Sequence, residues 1–375
     1  MLSSATDESH LIDMLRLNLV PGVGPRMRQA LLDHFGDAGK VLSARSHDLR
    51  CVPGIGSKLA LAILDENDPA TAERELARCR QLGIRFYVRG AEDYPALLAE
   101  IFDPPTFLYC DGSVEPQDEL SLAIVGARRC THYGLRTAEK LATTLAMAGV
   151  TIVSGLARGI DGAAHRGALR AGGRTLAVLA TGLASIYPPE HAQLARQVAE
   201  NGALITEMPL DQKPLAGLFP QRNRIISGLS AAVLIVEASK KSGALHTARH
   251  ALEQGREVLV VPGPIDSAAS EGCHDLIRDG ATLVRNADDI LTAIGPLAKP
   301  VTNGNNEEVH SPRELLLNEI EREVLNLITT ESRHLDEILR SAKLEHARVL
   351  STLTILEMKR FVRRLPGGYL VRAIN

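Results

Sequence analysis

The chain has 375 residues, room for two or three domains with an ample core, a net charge of −3, and aromatic residues at only 3% with no tryptophan. That near-neutral balance excludes a global field for nucleic acid, so any such attraction must come from a local patch. The scarcity of rings excludes the usual single-strand binder, which stacks successive bases on aromatic platforms.

In chain order, residues 1–10 are polar and mildly acidic, unlike a signal peptide. Residues 11–82 read as helical and contain two near-identical turns, Val-Pro-Gly-Val-Gly-Pro (20–25) and Val-Pro-Gly-Ile-Gly-Ser (52–57). Each precedes an amphipathic stretch (26–35 and 58–64), the pattern of a helix-hairpin-helix (SAM-like) domain over 1–82. Its glycines permit positive φ, and such a hairpin can offer backbone N–H groups to a phosphate or serve as a plain structural module.

A proline-rich connecting stretch follows (83–119), then short apolar runs at 122–125, 151–153, 175–179, 203–206, 232–236, 258–261 and 282–284. Most are continuously apolar, as expected of strands covered on both faces. Helical patterns lie between them, such as 135–148. This alternation predicts an α/β fold, a doubly wound parallel sheet, over residues 83–297. Residues 298–312 read as a linker, with Lys299-Pro300 and Asn303-Gly304-Asn305-Asn306. The tail, 313–375, has helical patterns at 314–329, 334–342 and 345–361, then two short β segments around Pro366-Gly367-Gly368. That order describes a winged helix. Its hairpin carries Lys359, Arg360, Arg363, Arg364 and Arg372, which suit nucleic acid, while ordinary protein docking is the alternative.

The strand ends of the α/β region carry glycine, hydroxyl and arginine rather than a catalytic set. They read Gly126-Ala-Arg128-Arg129, Ser154-Gly155-Leu-Ala-Arg158-Gly159, Ser242-Gly243 and Pro262-Gly263-Pro264. In an open parallel sheet, ligands sit outside the carboxyl ends of the strands. Close backbone approach at glycine, free N–H groups at helix N-termini and fixed guanidinium charges all suit phosphates. Between 122 and 174, eight Arg or Lys face only two acids, Glu139 and Asp161, which supplies the local patch. The segment Phe219-Pro-Gln-Arg222-Asn223-Arg224 opens a helix after a proline-rich loop. Its arginines can grip phosphates and Phe219 can stack one base. The alternative packs Phe219 inside and pairs the arginines with acids such as Glu207 and Glu237.

No Gly-x-x-x-x-Gly-Lys-Ser/Thr or Gly-x-Gly-x-x-Gly motif marks a nucleotide cofactor. Asp161 and His165 sit i,i+4 but read more simply as a helix-dipole partner and its neighbour. His246 and His250 lack the glutamate of a zinc peptidase, since Thr247 stands there. The five scattered cysteines, none spaced Cys-x-x-Cys, argue against zinc or disulfides and for a reducing cytoplasm. No run approaches the roughly 20 apolar residues of a membrane helix. A cytoplasmic protein without metal, cofactor or catalytic residues is expected.

These segments together resemble the DNA-processing protein A (DprA/Smf) family. The residues that carry the likeness are Val125–Arg128, Ser-Gly-Leu-Ala-Arg-Gly-Ile-Asp at 154–161 with Ala164-His165, Tyr187-Pro188, Phe-Pro-x-Arg-Asn-Arg-Ile-Ile-Ser-Gly-Leu at 219–229, Glu237-Ala238 and Val261–Gly263. The resemblance implies a non-enzymatic homodimer, paired through its Rossmann-like core. It would bind single-stranded DNA in natural transformation and load the RecA recombinase. By its motifs, DNA contacts would include Arg128, Ser154, Gly155, Phe219, Arg222, Asn223 and Arg224. Ala184, Pro189, Thr206, His246 and His274 depart from the family's usual residues. The rival class is a nucleotide phosphoribohydrolase on a similar sheet. Its Pro-Gly-Gly-x-Gly-Thr-x-x-Glu is not matched by the segment Lys241-Ser-Gly-Ala-Leu-His-Thr-Ala-Arg-His250.

Overall fold

Two glycines set the geometry of the N-terminal head. In the computed structural model, which describes residues 5–65, 68–294, 301–302, 308–309, 312–329 and 331–373, the head is six helices. They are α1 (Ala5–Leu19), α2 (Pro25–Phe35), α3 (Ala38–Ser43), α4 (Ser46–Leu49), α5 (Ser57–Asp65) and α6 (Pro69–Gln81). Gly22 and Gly54 turn the chain into α2 and α5 at φ of 88° and 89°, a region that costs an L-residue a steric clash. A Cβ on Gly22 would meet Leu59 of α5 at 3.3 Å, and one on Gly54 would meet Met27 of α2 at 2.8 Å. Each turn is therefore packed on the helix that the other turn begins.

The chain divides into two units, Met1–Arg285 and Asn286–Asn375. In the first, the head sits on a nine-stranded sheet of order β1-β2-β6-β5-β4-β3-β7-β8-β9. Its strands are β1 (Arg85–Val88), β2 (Phe107–Gly112), β3 (Ser121–Gly126), β4 (Thr151–Ser154), β5 (Thr175–Val178), β6 (Gly202–Thr206), β7 (Ala232–Val236), β8 (Glu257–Val260) and β9 (Thr282–Leu283). The seven predicted runs are β3 to β9, and every pairing among them is parallel. Residues of β3 to β7 are almost all buried, in keeping with helices on both faces. The sheet is thus mostly parallel and Rossmann-like.

The proline-rich stretch is more than a connector. It contributes β1 and β2, an antiparallel pair added to β6. The alternation of β2 explains its place. Phe107 and Tyr109 enter the apolar cluster of the head, while Leu108 and Cys110 enter that of the sheet. Head and sheet consequently share one continuous interior through this strand.

Helices α7 (Ala96–Ala99), α8 (His132–Met147), α9 (Ile160–Arg170), α10 (Ala192–Glu200), α11 (Leu218–Gly228), α12 (Ala244–Glu253) and α13 (Glu271–Arg278) complete the unit. From β3 the chain runs through α8 to β4 on one side, and from β7 through α12 to β8 on the other. The neighbours β3 and β7 therefore form the topological switch point, where a crevice opens at the carboxyl ends.

The second unit contains α14 (Ala287–Ile294), a short antiparallel pair β10 (Val301–Thr302) and β11 (Glu308–Val309), and a 3-10 turn at Pro312–Leu316. The remainder of the predicted linker, 298–312, lies outside the described residues. Next come α15 (Glu319–Asn326), β12 (Arg333–His334), α16 (Leu335–Ser341), α17 (His346–Met358), β13 (Val362–Leu365) and β14 (Tyr369–Arg372). Asn318 and Glu321 form a capping box that starts α15. Three helices against the sheet β12-β14-β13 make a winged helix around Val324, Leu325, Val349, Leu353 and Leu370. No helix among the described residues is long and apolar enough to cross a membrane.

Candidate nucleic-acid interface

At the switch point, β3 and β7 approach so closely that a Cβ on Gly126 would fall 1.9 Å from the Val236 carbonyl. Only glycine ends that strand. The chain then turns outward through Ala127, whose N–H donates to the Glu237 carbonyl at 2.8 Å, and leaves Arg128 and Arg129 exposed. Thr131 caps α8, and the Glu237 carboxylate accepts from both the Thr131 N–H at 2.8 Å and its hydroxyl. Glu237 thus anchors the rim and pairs with neither Arg222 nor Arg224.

The crevice is an open furrow of about 760 Å³ between the loop after β3, the loop after β7 and α11. Eight of the predicted residues line it: Gly126, Arg128, Arg129, Phe219, Arg222, Asn223, Ser242 and Gly243. On α11, Phe219, Arg222 and Asn223 stand at i, i+3 and i+4, which is one face of a helix. Asn223 Nδ2 reaches across to the Gly243 carbonyl at 3.3 Å. The Arg128 guanidinium lies over the half-buried Phe219 ring, 4.9 Å from its centre, and the Tyr187 ring meets Phe219 edge-on at 5.8 Å.

Arg222 forms part of the floor. It is buried, its Nη1 donates to the carbonyls of Gly155 (2.7 Å) and Val178, and its Nε has no partner among the described residues. Burial pulls its pKa down to about 10, against the attraction of Asp161. Asp161 also lines the floor; burial pushes its carboxyl up, opposed by Arg222. Among the lining residues, four cations (Arg128, Arg129, Arg222, Lys241) outnumber this one acid.

Five predicted residues do not line the furrow, and each has a reason. Arg224 is two positions past Arg222, about 200° around the helix at 3.6 residues per turn, and faces the other way. There its Nη2 binds Glu207 at 2.9 Å and its Nε binds Asp103 at 3.0 Å. Glu207 is also 3.9 Å from Arg28 of α2, whose Nε donates to Thr106 and whose Nη1 donates to Asn18. Arg224 therefore belongs to a buried charge cluster between head and sheet, which corrects the expectation that both arginines grip the ligand. Ser154 is fully buried, with its hydroxyl donating to the Ile124 carbonyl at 2.6 Å. Gly155 supplies the carbonyl under Arg222, where a Cβ would sit 2.6 Å from the guanidinium. Gly159, at φ 77°, lets the start of α9 abut Ala127. Arg158 pairs with Glu190 at 2.5 Å.

The furrow also holds residues that the sequence analysis did not place among the DNA contacts. Lys241, exposed in the loop after β7, is the clearest, since a cation just before Ser242-Gly243 fits the rim already named. Tyr187, Asp161, Ser239, His246 and Thr247 line it as well. His165, by contrast, is fully buried, bonded to the Thr175 hydroxyl at 2.7 Å and pulled to a pKa of about 3 by burial. It does not line the furrow, so the Asp161/His165 pair is not assembled there.

In the tail, several of the predicted hairpin cations are neutralised: Lys359 by Glu321 at 2.7 Å, Arg364 by Glu357 at 3.6 Å and Arg372 by Glu314 at 2.7 Å. The outer face of α17 exposes Leu350, Ile355 and Met358 together with the polar His346, Arg348 and Ser351.

Comparison with known proteins agrees with this layout. Residues 85–295 match the family model described as DNA recombination-mediator protein A, residues 309–368 the DprA winged helix domain, and residues 14–67 a SAM-like helix-hairpin-helix tandem. The chain is 43% identical to protein Smf of Escherichia coli K12 over 280 residues, covering 74% of this chain and 75% of that protein. It is similar to the X-ray structure of DNA processing protein A from Streptococcus pneumoniae, at 32% identity and a TM-score of 0.65, over 75% of this chain and 96% of that one. A structure of the Helicobacter pylori protein, solved for its single-stranded DNA binding mode, matches at 33% identity and a TM-score of 0.50, over 55% of this chain and 94% of that one.

Proposed function

This chain belongs to the DNA recombination-mediator protein A family, and on that footing we propose that it captures single-stranded DNA in the furrow at the β3/β7 switch point. The observation that carries the reading is the furrow itself: four cations, one acid and the paired rings of Phe219 and Tyr187 gathered at the carboxyl edge of the sheet. Arg128, Arg129 and Lys241 stand at its rim to neutralise successive phosphates, and Arg222 adds a fixed positive charge below them. The hydroxyl and glycines at Ser242, Gly243 and Gly126 let the backbone come close. Phe219, held between Arg128 and Tyr187, offers one face to a base.

Phosphate contacts carry no sequence information, so binding is sequence-independent. No bond is made or broken in this reading. The wider role follows from kinship alone: a cytoplasmic homodimer, paired through the sheet unit, that shields incoming strands in natural transformation and hands them to RecA. Two furrows on one strand raise affinity through effective concentration. Apolar side chains exposed beside the β8 and β9 edge, Leu252, Ile265 and Leu283, are compatible with pairing there.

The test is fluorescence anisotropy with single- and double-stranded oligonucleotides across a salt series. With about four phosphates engaged, log affinity falls against log salt at a slope near −0.7 × 4, about −3. Single strands bind more tightly, and Arg128→Ala and Lys241→Ala each weaken them. Equal affinity for duplex, or no loss in either variant, removes the furrow as the site.

A further inference from the structure

Most of the positive charge between 122 and 174 does not enter the furrow. Arg174 is held by Asp118 at 2.8 Å, Arg158 by Glu190, and Arg170 by Glu139 at 2.5 Å. Arg136, Lys140 and Arg166 differ: all three are exposed, and none has an ion pair among the described residues. Arg166 lies on α9, whereas Arg136 and Lys140 share α8. Arg136 and Lys140 stand one turn apart on α8, in register with His132 before them and Thr144 after, along a shallow hollow of about 720 Å³. The hollow begins where the furrow rim ends, because Thr131 caps α8 only two residues past Arg129.

Tyr133 marks that junction. Its hydroxyl donates to the Pro262 carbonyl at 3.1 Å, which tethers the ring, while about half of the side chain stays exposed. At about 1.5 Å per residue, the helix carries charge some 13 Å from its cap to Lys140.

We propose that a single strand leaving the furrow continues over α8, its backbone neutralised by Arg136 and Lys140 and one base resting against Tyr133. The inference rests on the furrow reading and extends it with a second, outer segment of the same track. Continuity with Arg128 and Arg129 favours a nucleic-acid strand over an acidic protein. The chemistry recognised is a run of phosphates followed by a flat base, with no base-edge readout.

The experiment uses the full chain and thymidine oligonucleotides from about 4 to about 16 nucleotides, a range spanning known single-strand site sizes. The paired variant Arg136→Gln/Lys140→Gln is compared with Arg128→Ala. For the longest oligonucleotide the paired variant loses about tenfold in affinity, and its salt slope becomes shallower by about 1.4, two phosphates at 0.7 each. The shortest oligonucleotide, filled by the furrow, binds it as it binds the parent. Tyr133→Ala repeats the length dependence with an unchanged salt slope. If the paired variant matches the parent at every length while Arg128→Ala binds every length more weakly, the extension is overturned and the furrow stands. If it weakens short and long oligonucleotides alike, α8 is part of the first site and the extension is again overturned. Should Arg128→Ala bind every length as the parent does, the furrow falls and the extension with it.

Discussion

Arg224→Ala separates the two arginines of the Arg-Asn-Arg segment most sharply. Arg224 is buried, with Glu207 at 2.9 Å and Asp103 at 3.0 Å. Truncation leaves the buried Glu207 with Arg28 at 3.9 Å as its remaining cation. Asp103 is a third exposed and can rehydrate, so it adds little. Removing one member of a buried ion pair costs about 3–5 kcal/mol, because the charge left behind is uncompensated. Taking about 4 kcal/mol, and roughly 2–4 °C per kcal/mol for a unit of this size, the melting midpoint falls by roughly 8–16 °C. Affinity for single-stranded DNA, measured well below the variant's midpoint, stays within about twofold, since the side chain faces away from the furrow. The exposed Arg128→Ala does the converse. It keeps its midpoint to within about 2 °C, as surface substitutions do, and loses affinity at least about tenfold, a charge-assisted contact of about 1.5–3 kcal/mol. Calorimetry and anisotropy on the same preparations decide the matter. An Arg224→Ala protein that melts like the parent yet binds DNA poorly would refute the inward assignment.

Phe219→Ala removes a stacking face worth about 1–3 kcal/mol per base, so affinity drops by at least about fivefold by anisotropy, and Phe219→Tyr restores it. Gly155→Ala places a methyl 2.6 Å from the Arg222 guanidinium and displaces it, so binding weakens without any change in net charge; an unchanged affinity would show that Arg222 contributes nothing. The buried His165 has its pKa lowered to about 3 from the ordinary 6.5. As pH falls below about 6.5 the unfolded chain takes up a proton that the folded one refuses, so stability declines from there toward about pH 3. Between pH 6.5 and 5 that amounts to about 1–2 kcal/mol, the slope rising from half toward the full 1.36 per unit, a loss that His165→Gln abolishes in urea titrations at the two pH values.

Continuous apolar runs made β3 to β9 readable, because strands covered on both faces need no polar alternation. The pair β1 and β2 was hidden for the opposite reason. Arg85–Val88 is only partly buried, and Phe107 follows Pro104-Pro105, so local composition points to a connector. What makes Phe107–Gly112 a strand is the head on one side and the sheet on the other, a tertiary fact. The rim at Gly126–Arg129 and at Ser242-Gly243 was legible from residue type, since glycine and cation at a strand end have few other uses. Residue type alone could not divide Arg222 from Arg224. Helical periodicity could have, since positions i and i+2 do not share a face. Ser154 was misjudged because a hydroxyl at the end of a strand can equally turn inward to a neighbouring carbonyl. In the tail, counting basic residues overstated the field, because the partners Glu314, Glu321 and Glu357 lie distant in sequence or on another element.

The reciprocal seating of Gly22 on Leu59 and of Gly54 on Met27 makes the duplicated hairpins interdependent. Each loop takes its shape from a side chain supplied by its twin, so neither copy can drift alone. A larger side chain at position 27 distorts the second loop while leaving the first untouched, and one at position 59 does the reverse. Inheritance of the repeat is therefore inheritance of a matched set, and a compensating change should be sought 27 residues downstream of a lesion at 27 and 37 residues upstream of one at 59.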